Sequence, residues 1–159
     1  MDSELIGVFL LDGHEVVRRG LRELLEREDG IEVVGEAASA AEGVRRALAA
    51  RPDVMVVDAQ LPGGGVEACR RVRAADPSVG VLVLTSDEDD ATLFAAIEAG
   101  AAGFLLKRVR GIDLVGAVRT VAAGGSLLDE RMTGAVLGRL RSWSRRRTQD
   151  PPGRGAADD

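Results

Sequence analysis

Four side chains suited to handling a phosphoryl group stand at the ends of apolar runs in this 159-residue chain. "VFLLDGHEVVRRG" (8–20) leaves its apolar stretch on Asp12, and "PDVMVVDAQLPGGG" (52–65) leaves its own on Asp58. "GVLVLTS" (80–86) ends on Thr85 and Ser86, and "AGFLLK" (102–107) on Lys107. An Asp carboxylate is a nucleophile able to form an acyl phosphate, which makes Asp58 the candidate acceptor. Carboxylates set close together repel, so a Mg²⁺ ion between them is their natural partner. The ion also offsets charge on the incoming phosphoryl group. Lys107 is a point charge for one phosphate oxygen, and the Thr85 hydroxyl can donate to another. After Asp58, the Gln60 carbonyl is available as a further hard-ion ligand in the turn "DAQLPGGG".

These groups meet only if the runs that carry them lie side by side. Five short apolar runs alternate with helical patterns: 5–11, 31–37, 53–59, 80–86 and 102–107. The first, third and fourth are almost continuously apolar, as strands buried on both faces of a parallel sheet are. The second alternates and suits a sheet edge. Between them "EVVRRGLRELLER" turns Val16, Leu21, Leu24 and Leu25 toward a core, and "ASAAEGVRRALAA" starts with Ser39 as an N-cap. "VEACRRVRA", "DDATLFAAIEAG" with Gly100 as its C-cap, and "GIDLVGAVRTVAAGG" complete the series. The pattern predicts an α/β domain over 1–125, a (βα)₅ doubly wound five-stranded parallel sheet. Ligands of such sheets bind outside the carboxyl ends of the strands, where all four groups fall. Lys107 is the one lysine among 21 basic residues, and a compact ammonium on a flexible stem is not imitated by arginine.

Composition narrows the rest. Hydrophobic residues make up 45% and charged residues 30%, a soluble globular balance. No run reaches the length of a membrane span, and "MDSELIG" has no basic flank or cleavage site. Cys69, the only cysteine, excludes an internal disulfide and a cysteine-based zinc site; a cytoplasmic protein is expected. Net charge of −5 argues against a nucleic-acid surface over the whole body. Segment 126–147 changes character: Leu128, Met132, Val136, Leu140 and Trp143 form one apolar stripe on one helix, expected to pair with a second copy or a relative. Arg139, Arg141, Arg145, Arg146 and Arg147 complement the dipole at the end of that helix. Segment 148–159 is polar and proline-rich and reads as a disordered tail. Phosphate-loop, HExxH, CxxC and GxSxG motifs are absent.

The set "FLLDGHEVVRRGL", "PDVMVVDAQLPGG", "VLVLTS" and "AGAAGFLLK" resembles the receiver domain of two-component response regulators. Within that family it is similar to the LuxR/NarL type, nearest the dormancy-regulator (DevR/DosR) group, over residues 5 to about 150. The resemblance implies a non-enzymatic switch in transcription control, phosphorylated on Asp58 by a sensor histidine kinase. It implies Asp12 as a Mg²⁺-site acid, Thr85 and Lys107 as the phosphoryl-sensing pair, and Phe104 as the aromatic switch. Three departures stand out. The family usually carries a second acid after the first strand, a direct metal ligand, where this chain has Gly13. The "LPGGG" loop is about one residue short, and the helix-turn-helix output domain of the type is not in these residues. A weakened Mg²⁺ site is therefore expected, and a pseudo-receiver that regulates partners without phosphorylation is the alternative. Asp87 reads as a helix start beside Glu88 rather than a replacement acid, and His14 as a cap or surface group.

Overall fold

The computed structural model describes residues 5–86, 90–107 and 111–127. In chain order these give β1 (Ile6–Leu11), α1 (Glu15–Glu26), β2 (Ile31–Ala37), α2 (Ala40–Ala50), β3 (Val54–Asp58), α3 (Gly65–Ala75), β4 (Gly80–Thr85), α4 (Asp90–Glu98), β5 (Gly103–Leu106) and α5 (Gly111–Ala122). The five strands form one parallel sheet in the order β2-β1-β3-β4-β5. The order reverses between β1 and β3, which is where doubly wound sheets open a crevice for ligands. Every strand lies within one residue of its predicted run; the continuous valine and leucine runs of β1, β3 and β4 fit strands covered on both faces, and the alternating β2 is at the edge.

Alternate residues of the sheet feed two cores. Val8, Leu10, Val54, Val56, Leu82 and Leu84 pack with Leu25 of α1 and Leu114 and Val118 of α5. Residues of opposite parity, Phe9, Leu11, Met55, Val57, Val81 and Val83, are equally buried. On that side Gly43 of α2 lies so close to Leu11 that a Cβ there would stand 2.5 Å from a leucine methyl. β2 is an edge strand, and its register slips where Phe9 pairs with Gly35 and skips Val34. Val34 is 38% exposed, alternating with the buried Ile31 and Val33.

Local signals mostly correspond to local structure. α4 ends with Gly100 at φ +100°, where the Gly100 and Ala101 amides donate to the Ile97 and Ala96 carbonyls. That paired closure is the Schellman arrangement that glycine permits. One local expectation needs correction. Val16 does not face the core: it is 82% exposed. It lies nine residues before the buried Leu25, and nine steps of about 100° end on the opposite side of a helix. Ser39 occupies the N-cap of α2 but its side chain makes no capping bond. The Ala40 amide donates instead to the Pro62 carbonyl at 2.9 Å, tying α2 to the loop after β3.

After α5 the chain returns along β5, where the Leu127 amide donates to the Ala102 carbonyl at 2.8 Å. The stripe Leu128, Met132, Val136, Leu140 and Trp143, the arginines that follow, the 148–159 tail and Asp87 lie outside the described residues.

Candidate functional site

The carboxyl ends of β1, β3, β4 and β5 carry the predicted groups. Asp12 follows β1, Asp58 and Thr85 are the last residues of β3 and β4, and Lys107 follows β5. Asp12, Asp58 and Thr85 are at most 1% exposed and are the buried polar side chains among the described residues. Because β1 pairs with β3, and β3 with β4, strand ends alone bring these groups together.

Lys107 spans the two acids. Its Nζ is 3.0 Å from Asp58 Oδ2 and 3.3 Å from Asp12 Oδ2. Neither oxygen has an aligned hydrogen-bond donor, so the ammonium acts on both as a shared charge. Burial alone would push the Lys107 pKa down; the two aspartates outweigh it and hold the pKa above the usual lysine value. The remaining carboxylate oxygens are fixed by the backbone. Asp58 Oδ1 accepts from the Gln60 amide at 3.0 Å, and Asp12 Oδ1 accepts from the His14 amide at 2.8 Å. Buried carboxylates held this way keep one orientation, which a nucleophile and a metal ligand both require.

Two buried acids facing one ammonium leave the site short of positive charge, and unpaired charge is costly in a low-dielectric interior. The donor set fits a divalent cation: one oxygen each of Asp12 and Asp58 and a ring nitrogen of His14 lie within 4.8 Å of one another. Asp12 and Asp58 would hold the ion, with the Gln60 carbonyl of the adjoining turn as a candidate third oxygen.

Gly13 has a structural cause. A Cβ at this position would stand 2.9 Å from Pro62 Cδ and 3.3 Å from its Cγ. The loop "LPGGG" therefore closes over the place where the second acid would sit. The loop holds this course through Gly63 and Gly64, at φ +93° and +99°, conformations that other residues rarely adopt. Gly65 then starts α3 so near β3 that a Cβ would lie 2.0 Å from the Asp58 carbonyl oxygen. The short loop and the missing acid are two sides of one packing arrangement.

Other participants were not evident from sequence. Arg18 donates from Nη1 to the Asp12 carbonyl at 2.7 Å and from Nε to Glu36 Oε1 at 2.7 Å, fixing the end of β1 against the end of β2. The Arg18 hydrogen bond, opposed by burial and reinforced by Arg22, lowers the Glu36 pKa. Gln60 Nε2 lies 3.4 Å from Thr85 Oγ1, a long contact joining the turn after β3 to the end of β4. Phe104 is 5% exposed and pairs with Val83, so its ring shares a sheet face with Thr85 two residues on.

The sequence profile of the response regulator receiver domain matches residues 8–119. Over 148 residues the chain is 47% identical to the DNA-binding transcriptional activator DevR/DosR of Mycobacterium tuberculosis, covering 92% of this chain and 67% of that protein. It is 41% identical over 140 residues to the transcriptional regulatory protein LiaR of Bacillus subtilis, covering 86% of this chain and 65% of that one. The chain thus spans about two thirds of the length of these curated relatives. A LuxR-family two-component response regulator from an Aurantimonas species superposes with a TM-score of 0.78 at 34% identity, covering 86% of this chain and 99% of that one. The signal receiver domain of a NarL response regulator from Mycobacterium tuberculosis gives a TM-score of 0.74 at 32% identity, covering 77% and 99%. Among the described residues no helix is long and apolar enough to cross a membrane. With its profile match over most of the fold and its acids at the strand ends, this chain belongs to the response regulator receiver family.

Proposed function

We propose that the chain accepts a phosphoryl group on Asp58 from the phosphohistidine of a sensor histidine kinase, and relays the event through Thr85 and Phe104 to a partner or dimer interface. The observation that carries this reading is the convergence of buried Asp12 and Asp58 on the Lys107 ammonium, 3.3 and 3.0 Å away. In the transfer, one Asp58 carboxylate oxygen attacks phosphorus. The O–P bond forms as the N–P bond to the donor histidine breaks, and the electron pair leaves with the imidazole nitrogen, which takes a proton from water. Lys107, kept charged by the two aspartates, then has a phosphoryl oxygen to meet in place of a carboxylate. A divalent cation, when bound, supplies neutralisation of the charge gathered between the acids and the phosphoryl group. Movement of the Thr85 hydroxyl toward a phosphoryl oxygen would vacate space beside Phe104 on the same sheet face. The segment Leu128–Trp143, by its sequence stripe, is the candidate pairing surface that reads this change, in a transcription-control setting like that of the relatives.

Incubation with phosphoramidate and a Mg²⁺ series tests the reading. Intact-mass spectra should show one added phosphoryl group per chain, slowly and only at high Mg²⁺, because Gly13 supplies no ligand. Absence of the adduct at every Mg²⁺ concentration would instead support a pseudo-receiver that acts by contact alone.

A further inference from the structure

We infer that His14 is a direct metal ligand beside Asp12 and Asp58, and that the site consequently favours first-row transition-metal ions such as Mn²⁺ or Zn²⁺ over Mg²⁺. The inference rests on the metal site proposed above and adds a nitrogen donor to it. His14 is at the N-cap of α1 and its ring makes no capping bond. The ring is turned back to the site, with Nδ1 3.2 Å from Asp12 Oδ1. Two adjacent ligands of an octahedral ion with bonds of about 2.1 Å lie about 3.0 Å apart, so this pair already has coordination spacing. An Asp58 oxygen completes a set of three ligand atoms, one from each residue, within 4.8 Å of one another. Trans ligands of such an ion are separated by about 4.2 Å, so a short swing of an exposed ring closes the set. The His14 side chain is 69% exposed and free to make that swing, whereas the Asp12 side chain is 2% exposed and fixed.

The second observation is the charge shortfall of the buried acids. Asp12 Oδ2 and Asp58 Oδ2 are buried without an aligned donor, with one ammonium between them. The charge of the pocket suits a cation, and the His14 ring, with Nδ1 3.2 Å from Asp12 Oδ1, offers a nitrogen donor at its rim. Imidazole suits Zn²⁺, Ni²⁺ and Fe²⁺, and Mn²⁺ accepts it in a mixed nitrogen and oxygen set, whereas Mg²⁺ selects oxygen. An imidazole in the ligand set therefore favours transition-metal ions over Mg²⁺.

His14 is the only histidine in the chain, so an imidazole signal from the untagged protein has one source. Mn²⁺ titration followed by electron paramagnetic resonance, with spin-echo detection of ¹⁴N coupling, should show a directly bound imidazole nitrogen in the wild type. His14→Ala and His14→Gln should both lose the coupling, weaken Mn²⁺ and Zn²⁺ at least about tenfold, and leave Mg²⁺ affinity within about twofold. Circular dichroism melting of both variants confirms that an exposed position was changed without unfolding. Mn²⁺ binding without ¹⁴N coupling, at equal affinity in His14→Ala, would overturn the ligand role while leaving Asp12 and Asp58 as a metal site. No Mn²⁺ or Zn²⁺ binding to the wild type at millimolar concentration would overturn the inference together with the metal site, independently of whether Asp58 accepts label.

Discussion

Gly13→Ala isolates the packing that links the strand end to the short loop. The new Cβ would meet Pro62 Cδ at 2.9 Å, closer than carbon atoms rest, and a proline ring has no flexible end to swing aside. Overpacking of this kind costs about 1–3 kcal/mol. Pro62 is exposed, so the loop can yield and the lower part of that range, roughly 1.5 kcal/mol, is expected. Gly13 is not among the residues at positive φ, so alanine also removes unfolded-state freedom and returns about 0.4–1 kcal/mol. The net expectation is a destabilisation of about 1 kcal/mol. Pro62→Ala alone should cost a similar small amount through the unfolded state, and the double variant should recover the clash. The cycle should show a favourable coupling of about 1.5 kcal/mol, measured by urea unfolding of the metal-free chain followed by far-ultraviolet circular dichroism. Gly13→Asp should follow the same rule: Mg²⁺ affinity should rise more in Gly13→Asp/Pro62→Ala than in Gly13→Asp alone. Strict additivity of Gly13→Ala and Pro62→Ala would show that the loop does not close against Gly13, and the account of the missing acid would fail.

Gly65→Ala should destabilise by about 3 kcal/mol and slow labelling of Asp58, because its Cβ would require backbone movement at the Asp58 carbonyl; thermal melting and phosphoramidate kinetics read the two effects. Cys69, fully buried with its pKa pushed up to about 11 by burial, should resist a thiol-specific disulfide reagent at pH 8 in the folded chain and react fully in denaturant. The Glu36 pKa is depressed in the folded state, chiefly by its Arg18 hydrogen bond. Its contribution is therefore present above the ordinary value of 4.5 and lost as pH falls through the folded value. Glu36→Gln should lower stability at pH 7 by on the order of 1 kcal/mol, after solvent screening of a partly exposed pair. That difference should shrink below pH 4.5, as acid titration of both chains would show.

What could be read in advance was whatever depends on strand period alone. Asp12, Asp58, Thr85 and Lys107 each follow a run whose length and apolar content define its end, and parallel pairing then places those ends on one rim. The rotation of α1 was less legible: Val16 belongs to a plausible apolar series by composition, yet it lies opposite Leu25. Contacts distant in sequence were illegible for a simpler reason. Gly13 and Pro62, Gln60 and Thr85, and Arg18 and Glu36 meet through loop course and side-chain reach, neither of which has a period. The unusual pair "DG" and "LPGGG" was the available signal for the first of these. His14, a cap or surface group by its sequence position, is both N-cap and exposed, and its ring also meets Asp12.

Reductive trapping reads phosphorylation of Asp58 at the residue itself. After phosphoramidate and Mg²⁺ treatment, borohydride reduces an aspartyl acyl phosphate to homoserine, and tandem mass spectrometry locates that residue. Phosphorylation at Asp58 requires homoserine at position 58 alone, Mg²⁺-dependent, and absent from Asp58→Asn. Homoserine at another aspartate in the wild type, or unchanged trapping in Asp58→Asn, would contradict it.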